Sequence, residues 1–219
     1  AESAREYSGA PLLAAAAEKA KDFAQFRYAY TVDHWTSDGE KEIAIKLRYD
    51  PRLEGDARWR VLSPPEETLD KPQRKALKQL RKGDMDDDPI LYDKLDEMIG
   101  EASLVSETGT EAVYVAQIDE EDTPKDALEV YITLNKPDVY VSSIELRSRK
   151  PFKPAPVAKV NKLVQTQHFA APQGDGPAFL TSSEAHIEGK AMFKSFSSAT
   201  RQVFSEIEQV EVAAEEDES

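Results

Sequence analysis

Apolar and polar residues alternate along most of this chain, with the period of two that is typical of half-buried β-strands. The clearest example is the pair of segments 28–35 and 43–49, which flank a turn signal at Ser37-Asp38-Gly39 and together predict a β-hairpin. The same alternation predicts strands at 58–62, 103–108, 112–118, 128–134, 139–147, 159–169, 187–196 and 200–210. The last two segments are predicted to form a closing hairpin.

The N-terminal part of the chain follows the helical period instead. From Ala10 to Phe26, apolar residues recur at three- and four-residue steps, and Pro11 suits a first-turn position where its missing N–H costs nothing. This pattern predicts one amphipathic helix. Residues 1–9 are polar, and we expect them to be a flexible N-terminus.

A second helical region interrupts the strands near residues 70–100. Asp70 is placed to cap a short basic helix, and Asp88 is placed to cap another that ends at Gly100. The predicted features of that second helix are Pro89 at its first position and an apolar face of Leu91, Leu95, Met98 and Ile99. The region is therefore predicted to be a helical insertion between two groups of strands.

Many strands and little helix predict an α+β fold. We expect a curved antiparallel β-sheet, an unclosed half-barrel, with the helices packed on its concave face. The chain of 219 residues fits one such domain, over residues 10–210. Residues 211–219 are rich in carboxylates and lack aromatic residues, which indicates an acidic disordered tail.

Composition narrows the function classes. The net charge of -14 and the pI of about 4.7 oppose binding to nucleic acid or to a membrane surface through a polybasic site. The chain has no cysteine, which excludes disulfides, thiolate metal sites and an acylated N-terminal cysteine. A first residue of Ala1 fits a mature protein after signal-peptide removal, so a periplasmic location is the expectation.

No motif indicates a catalytic or metal site. The acidic run 84–88 lacks calcium-loop spacing, because Pro89 and Leu95 occupy the positions where glycine and glutamate are needed. His34, His168 and His186 are far apart in sequence and form no zinc signature. We therefore expect no enzyme activity and no cofactor. A hydrolase whose Ser and His meet only in space remains an alternative.

The apolar stripes of the predicted strands leave two open hypotheses. In one, an incompletely covered half-barrel has a groove that binds a lipid or an acyl chain through apolar burial. The candidate lining is Phe23, Phe26, Tyr28, Tyr30, Ile43, Ile45, Leu47, Trp59, Val61, Val130, Ile132 and Leu134. In the other, the helices fill this face completely, and the protein is a structural or protein-interaction module without a ligand.

The order of elements resembles the LolA/LolB-like superfamily of periplasmic lipoprotein carriers. The resemblance comprises the N-terminal helix, the hairpin Tyr28–Tyr49, helices near 72–99, the strands 130–134 and 139–146, and the ending 187–206. A second likeness, to uncharacterised exported bacterial proteins, lies in the segment from Arg48-Tyr49-Asp50-Pro51 to Arg58-Trp59.

This resemblance implies an unclosed β-barrel with helices over its opening and a lipid, acyl chain or lipoprotein as partner. It leaves the equivalent of the carriers' functional arginine open among Arg48, Arg58 and Arg60, and the second strand lacks the carriers' glycine. Because no N-terminal cysteine is present, it implies a soluble protein like the periplasmic carrier rather than a lipid-anchored receptor. The leading hypothesis is a non-enzymatic periplasmic protein that binds an acyl chain.

Overall fold

The computed structural model of the chain describes residues 10–82, 90–95, 99–118, 126–192 and 194–211. The predictions for residues 1–9, for the acidic run 84–88 and for the tail beyond residue 211 lie outside these ranges. Two α-helices are described, α1 (Ala10–Lys21) and α2 (Lys71–Lys82). The strands are β1 (Arg27–Ser37), β2 (Glu42–Tyr49), β3 (Trp59–Ser63), β4 (Ile99–Glu107), β5 (Glu111–Ile118), β6 (Leu128–Asn135), β7 (Tyr140–Ser148), β8 (Phe152–Ala155), β9 (Ala158–Phe169), β10 (Leu180–Ala191) and β11 (Lys194–Val210).

All the strands belong to one antiparallel sheet. Their order is β3-β2-β1-β11-β10-β9-β7-β6-β5-β4, and β8 pairs with β9 beside this path. Strands β3 and β4 stand at opposite ends of the order, and no pairing of described residues joins them. The sheet is therefore not closed, and the predicted α+β half-barrel is confirmed.

The cross-strand register defines which residues share a face of the sheet. Tyr30 lies opposite Tyr49, and Ile132 lies opposite Tyr114; each of these four side chains is 4% exposed or less. Strand β6 alternates buried and half-buried positions along its whole length, as its sequence predicts. We refer to the face that carries these buried residues as the inner face, and to the opposite one as the outer face.

Helix α1 is shorter than predicted, because it ends at Lys21 rather than Phe26. Beyond it the chain turns through short-range hydrogen bonds, from Phe23 N to Ala20 O and from Phe26 N to Phe23 O, both at 3.1 Å. Since β1 already begins at Arg27, these residues must reverse the chain from helix to strand. Phe23 and Phe26 nevertheless pack against the core, as their period predicted.

Helix α1 crosses the inner face of the sheet. It contacts β7 and β4, which are separated in the sheet by β6 and β5. Its buried side chains are mostly small: Leu12, Leu13, Ala16, Ala17 and Ala20. Because alanine contributes little apolar area, this helix gains less from burial per residue than a leucine-rich helix would.

Helix α2 begins where the sequence predicted, with Asp70 as its N-cap. Gln73 N donates to Asp70 Oδ1 at 2.8 Å, and Asp70 N donates to Gln73 Oε1 at 2.9 Å, which is a capping box. Gln73 Nε2 also donates to Ala44 O at 3.1 Å, and Arg81 Nη2 donates to Trp59 O at 3.0 Å. These bonds fix α2 along the edge of the sheet formed by β2 and β3.

The predicted second helix of the insertion does not form over residues 90–94, and Leu95 is its one helical residue within the described ranges. Residues 90–94 are irregular, and Ile99 and Gly100 belong to β4. Leu180 N donates to Ile90 O at 2.9 Å, and Ile90 is fully buried, so contacts with the sheet hold this segment out of a helix. The apolar spacing reflects burial on the inner face, which an irregular chain satisfies as well as a helix. Residues of this prediction that lie outside the described ranges are Asp88, Pro89 and Met98.

The closing hairpin turns earlier than predicted. Its strands are Leu180–Ala191 and Lys194–Val210, so residues 197–199 lie inside β11 rather than in a turn. A Cβ atom at Gly189 would lie 2.3 Å from Lys159 O and 2.7 Å from Phe196 Cζ. Glycine therefore lets the Phe196 ring and the neighbouring strand approach the backbone, and the long hairpin is continuous through this point.

Candidate functional site

The structure places the predicted lining residues in or against one apolar region. Those on β1 to β3 and those on β6 are separated by four strands of the sheet, yet they belong to a single cluster. The most deeply buried, at 6% exposure or less, are Tyr28, Tyr30, Ile45, Leu47, Trp59, Val130, Ile132 and Leu134. Phe23, Phe26 and Val61 are partly buried against that cluster, whereas Ile43 lies at its open margin.

Aromatic rings concentrate at the β1–β3 end of the inner face. The ring of Tyr30 has centroid distances of 5.1 Å to Tyr49, 6.2 Å to Trp59 and 5.7 Å to Phe204. Tyr49 and Phe204 were not among the predicted lining residues. Tyr49 continues the alternation of Leu47, so its pattern indicated this role. Phe204 gave no such signal, because the pairing of β11 with β1 is not visible in the sequence.

A groove lies between α2 and the inner face, and we call it the α2 groove. Its volume is about 670 Å³. Residues from the sheet, from the β1–β2 turn and from α2 line it: His34, Thr36, Asp38, Lys41, Ile43, Lys71, Pro72, Lys75, Ala76, Gln79, Leu80 and Thr200. A volume of this size falls in the range of small-molecule sites, which is about 300–1,000 Å³.

The floor of the α2 groove leads into the apolar core. Ile43 is two residues from Ile45 on β2, and Leu80 is one turn from Leu77 on α2. Ile45 and Leu77 are buried in the core cluster, at 3% and 4% exposure. The groove is therefore an opening at the margin of the inner face, where apolar surface reaches the exterior.

Helix α2 carries a concentration of positive charge that the net charge conceals. Its sequence KPQRKALKQLRK has six basic residues and no acidic one. Arg81 pairs with Glu66 at 3.2 Å, whereas the side chains of Lys71, Lys75 and Lys78 form no ion pair with any described residue. The expectation that a polybasic surface is absent rested on the average charge, and the local sequence of α2 gives the opposite indication.

His34 lies on the inner face beside the α2 groove. Its Nδ1 is 3.4 Å from Gln202 Nε2, and burial lowers its pKa below the ordinary value of 6.5. The side chain is therefore neutral at neutral pH and contributes polarity without charge. Thr36 Oγ1 and Thr200 Oγ1 lie 3.3 Å apart on the same face, so the wall formed by β1 and β11 is polar.

The other histidines lie on the outer face of the sheet. His186 Nε2 is 2.7 Å from Glu188 Oε1, and His168 lies opposite Ser182 in the register. Within the described ranges no hydrogen bond joins a serine side chain to a histidine, and no three metal-ligating side chains converge. Neither α1 nor α2, the helices described, is long and apolar enough to cross a membrane.

The arginines left open by the resemblance do not reach the inner face. Arg48 and Arg60 are cross-strand partners on the outer face. Arg48 donates to Glu208 Oε1 and to Glu206 O, both at 2.7 Å, at a bulge in β11. Arg58 Nε donates to Leu53 O at 2.8 Å in a surface loop. The contacts of Arg48 and Arg58 are those of residues that stabilise the sheet and its loops.

Comparisons with known proteins find similarity of fold. No family model matches the chain, and no curated protein matches it. Among solved structures, a LolA superfamily protein from Nitrosomonas europaea matches at 13% identity and a TM-score of 0.43, covering 91% of this chain and 94% of the other. A domain described as an outer membrane lipoprotein-sorting protein, from Vibrio parahaemolyticus, matches at 13% identity and a TM-score of 0.47, covering 94% of each chain.

A DUF1329 family protein from Desulfovibrio piger also matches, at 9% identity and a TM-score of 0.38, over 90% of this chain and 92% of the other. A protein of the LolA superfamily is thus among the solved structures that the chain resembles. At these identities and TM-scores, the matches concern the arrangement of the chain and not its ligand or activity.

Proposed function

We propose that this protein is a non-enzymatic carrier or sensor that binds a lipid or acyl chain on its inner face. The observation that carries the proposal is the α2 groove, through which the apolar inner face opens to the exterior. Entry beside Ile43 and Leu80 leads an acyl chain toward the buried lining residues. Each methylene removed from water contributes about 0.8 kcal/mol, so no specific polar contact is required for affinity.

Helix α1 is the element that such a ligand displaces. It covers the inner face largely with alanines, so lifting it exposes less apolar surface than lifting a leucine-rich helix would. An acyl chain that lies along Ile132 and Leu134 then replaces the contacts that α1 gives up.

The test is uptake of a neutral fluorescent probe, N-phenyl-1-naphthylamine, by delipidated full-length protein, together with native mass spectrometry of protein purified from its own host. We expect probe fluorescence to rise and a lipid adduct to be present. Ala76→Trp, which fills the α2 groove, is expected to reduce probe uptake at least fivefold. Ala14→Trp, on the exposed face of α1, is the matched control. Absence of both uptake and adduct would overturn the proposal.

A filled-core interaction module is the second candidate. It is favoured by the exposure of 6% or less at most of the predicted lining residues. This candidate requires that the wild-type protein bind the probe only at background level and that Ala76→Trp leave that level unchanged. It also requires that the melting temperature stay constant when long-chain fatty acid is added, because no ligand then binds the folded state.

The proposal includes a periplasmic location. A chain without cysteine is compatible with an oxidising compartment, because no thiol is present to be oxidised. Cell fractionation with an antibody against the native protein tests the location. We expect release with the periplasmic fraction, and recovery only with cytoplasmic markers would overturn this part of the proposal.

A further inference from the structure

We propose that the ligand is an anionic amphiphile whose phosphate or carboxylate headgroup lies between Lys41, Lys71 and Lys75 at the mouth of the α2 groove. This inference rests on the proposed function and deepens it, since it names the chemical class of the ligand. The acyl chain passes over the floor formed by Ile43 and Leu80 toward the lining residues of the inner face, and the headgroup remains at the rim.

The rim of the groove has an excess of positive charge in an otherwise acidic protein. Three lysines line it and one carboxylate, Asp38, is present. That carboxylate is engaged by the turn that contains it, since Glu40 N and Lys41 N donate to Asp38 Oδ1 at 3.0 and 2.8 Å. The net charge of the chain is -14, so this local excess opposes the overall trend.

The lysine side chains at the rim are available to an external anion. Lys41, Lys71 and Lys75 are all exposed. The side chains of Lys71 and Lys75 form no ion pair or hydrogen bond with the part of the chain that the structure describes, whereas the pKa of Asp38 is lowered by the backbone hydrogen bonds of its turn and, in addition, by the charge of Lys41. By contrast Arg81, on the same helix, is held by Glu66 and by Trp59 O. A headgroup at the rim thus meets two cations on α2, Lys71 and Lys75, that need not first leave an internal pair.

The groove combines this charge with apolar surface in one opening. Pro72, Ala76 and Leu80 face the sheet from α2, and Ile43 faces them from β2. A free phosphate ion uses only the rim, and a neutral detergent uses only the floor. An amphiphile that carries a negative headgroup uses both, so it is the ligand class that the lining favours.

The experiment is displacement of N-phenyl-1-naphthylamine from the full chain by ligands that share one alkyl chain. Dodecyl phosphate is anionic, dodecylphosphocholine is zwitterionic and dodecyl maltoside is neutral; inorganic phosphate serves as the headgroup alone. All are used below their micelle concentrations. We expect dodecyl phosphate to bind about tenfold more tightly than dodecyl maltoside at low salt, with the ratio falling as salt screens the lysines.

Charge variants on α2 separate the groove from the rest of the helix. The double variant Lys71→Gln/Lys75→Gln is expected to weaken dodecyl phosphate binding about tenfold and to leave dodecyl maltoside unchanged. The matched control Arg74→Gln/Lys78→Gln removes the same charge from the same helix outside the groove, and we expect less than a twofold change. Circular dichroism confirms that both variants retain the fold.

The outcomes distinguish this inference from the proposed function. Equal affinity for the three amphiphiles, or equal effects of the two double variants, would overturn the inference while the acyl-binding function stands. Displacement of the probe by inorganic phosphate alone would also overturn it, because the site then binds a free anion. If no amphiphile binds at any salt concentration, the proposed function fails together with the inference.

Discussion

The inner face has a closed half and an open half. In the closed half, α1 crosses the sheet from β4 to β7, and Tyr114, Ile132 and Leu134 are fully buried. In the open half, the ends of β1, β2 and β11 next to the β1–β2 turn lie beside α2, and His34, Thr36 and the partly exposed Ile43 line a groove there. Farther along the same strands, Tyr30 and Leu47 are fully buried. The two halves share one sheet, so the difference arises from what covers each half and from a change to polar residues on β1 and β11.

This difference separates stability from function. A closed half with regular alternation maximises apolar burial, which is the main favourable term in folding. An open half leaves apolar area in water, which gives up stability and offers a surface to a ligand. We therefore expect substitutions in the closed half to change the free energy of unfolding most, even where the residue also lies along the proposed path of the acyl chain. Substitutions in the open half are expected to change binding with a smaller effect on unfolding.

The largest expected effect compares isoleucines of the two halves. Ile132→Ala, at a fully buried site, is expected to lower the free energy of unfolding by about 2–5 kcal/mol. Ile43→Ala, at the margin of the groove, is expected to lower it by about 1 kcal/mol, because less area is lost. Urea unfolding monitored by circular dichroism measures both, and equal losses would remove the distinction between the halves.

A second prediction concerns the strands that join the halves. Gly189→Ala places a Cβ atom against Lys159 O and the Phe196 ring, and we expect a loss of about 1–3 kcal/mol from overpacking. Gly109→Ala is the control, since no atom lies within 4 Å of its added Cβ. Thermal unfolding of the pair gives the comparison. A loss at residue 109 as large as that at residue 189 would contradict the packing argument.

A third prediction isolates the helix of the open half. Asp70→Ala removes the N-cap of α2 and is expected to cost about 1 kcal/mol. Because α2 contacts the sheet mainly at β2, hydrogen exchange should accelerate in α2 and stay unchanged in β6. Asp70→Asn, which retains a capping oxygen, should restore most of the loss. A uniform increase of exchange over the whole sheet would show that the halves are not separable.

The smallest expected effect is a pH dependence from His34. The unfolded chain binds a proton with a pKa near 6.5, whereas burial lowers the pKa of His34 in the folded state, so protonation favours unfolding. The contribution of His34 to the free energy of unfolding is fully present above pH 6.5. It is lost as the pH falls through the pKa that His34 has in the folded state. We expect His34→Gln to flatten the decrease of melting temperature below pH 6.5, and His168→Gln, at an exposed site, to leave it in place.

The alternation of neighbouring residues predicted the strands well. It predicted less well the conformation of the segments that pack on the sheet. The alternation from Leu128 to Leu134 depends only on neighbouring residues, and β6 follows it. Residues 90–94 did not become part of the predicted helix, because the path of this segment depends on a bond to Leu180, far along the chain. A spacing of four between Leu91 and Leu95 fits both a helix and an irregular segment pressed on a sheet.

The candidate site was partly visible in the sequence. The apolar lining residues were predicted from alternation, and they lie in or against one cluster or at its margin. The α2 groove was not predicted, because Ile43, Lys75 and Thr200 come together only through the strand order. The basic residues of α2 are visible in the sequence, but the net negative charge of the whole chain led us to expect no polybasic surface.

The pairing of β1 with β11 also sets the time course of folding. Thr31 Oγ1 donates to Glu206 Oε2 at 2.6 Å across 175 residues of sequence. Closing a loop of that length costs entropy before any contact offsets it, and domains dominated by such distant pairings fold slowly. During synthesis, β1 can pair with β2 early, but its second neighbour, β11, is available only after that strand has emerged. Until then one edge of β1 has no hydrogen-bond partner. The newly made chain avoids association with other chains only if another protein covers this edge or if β11 pairs with it quickly.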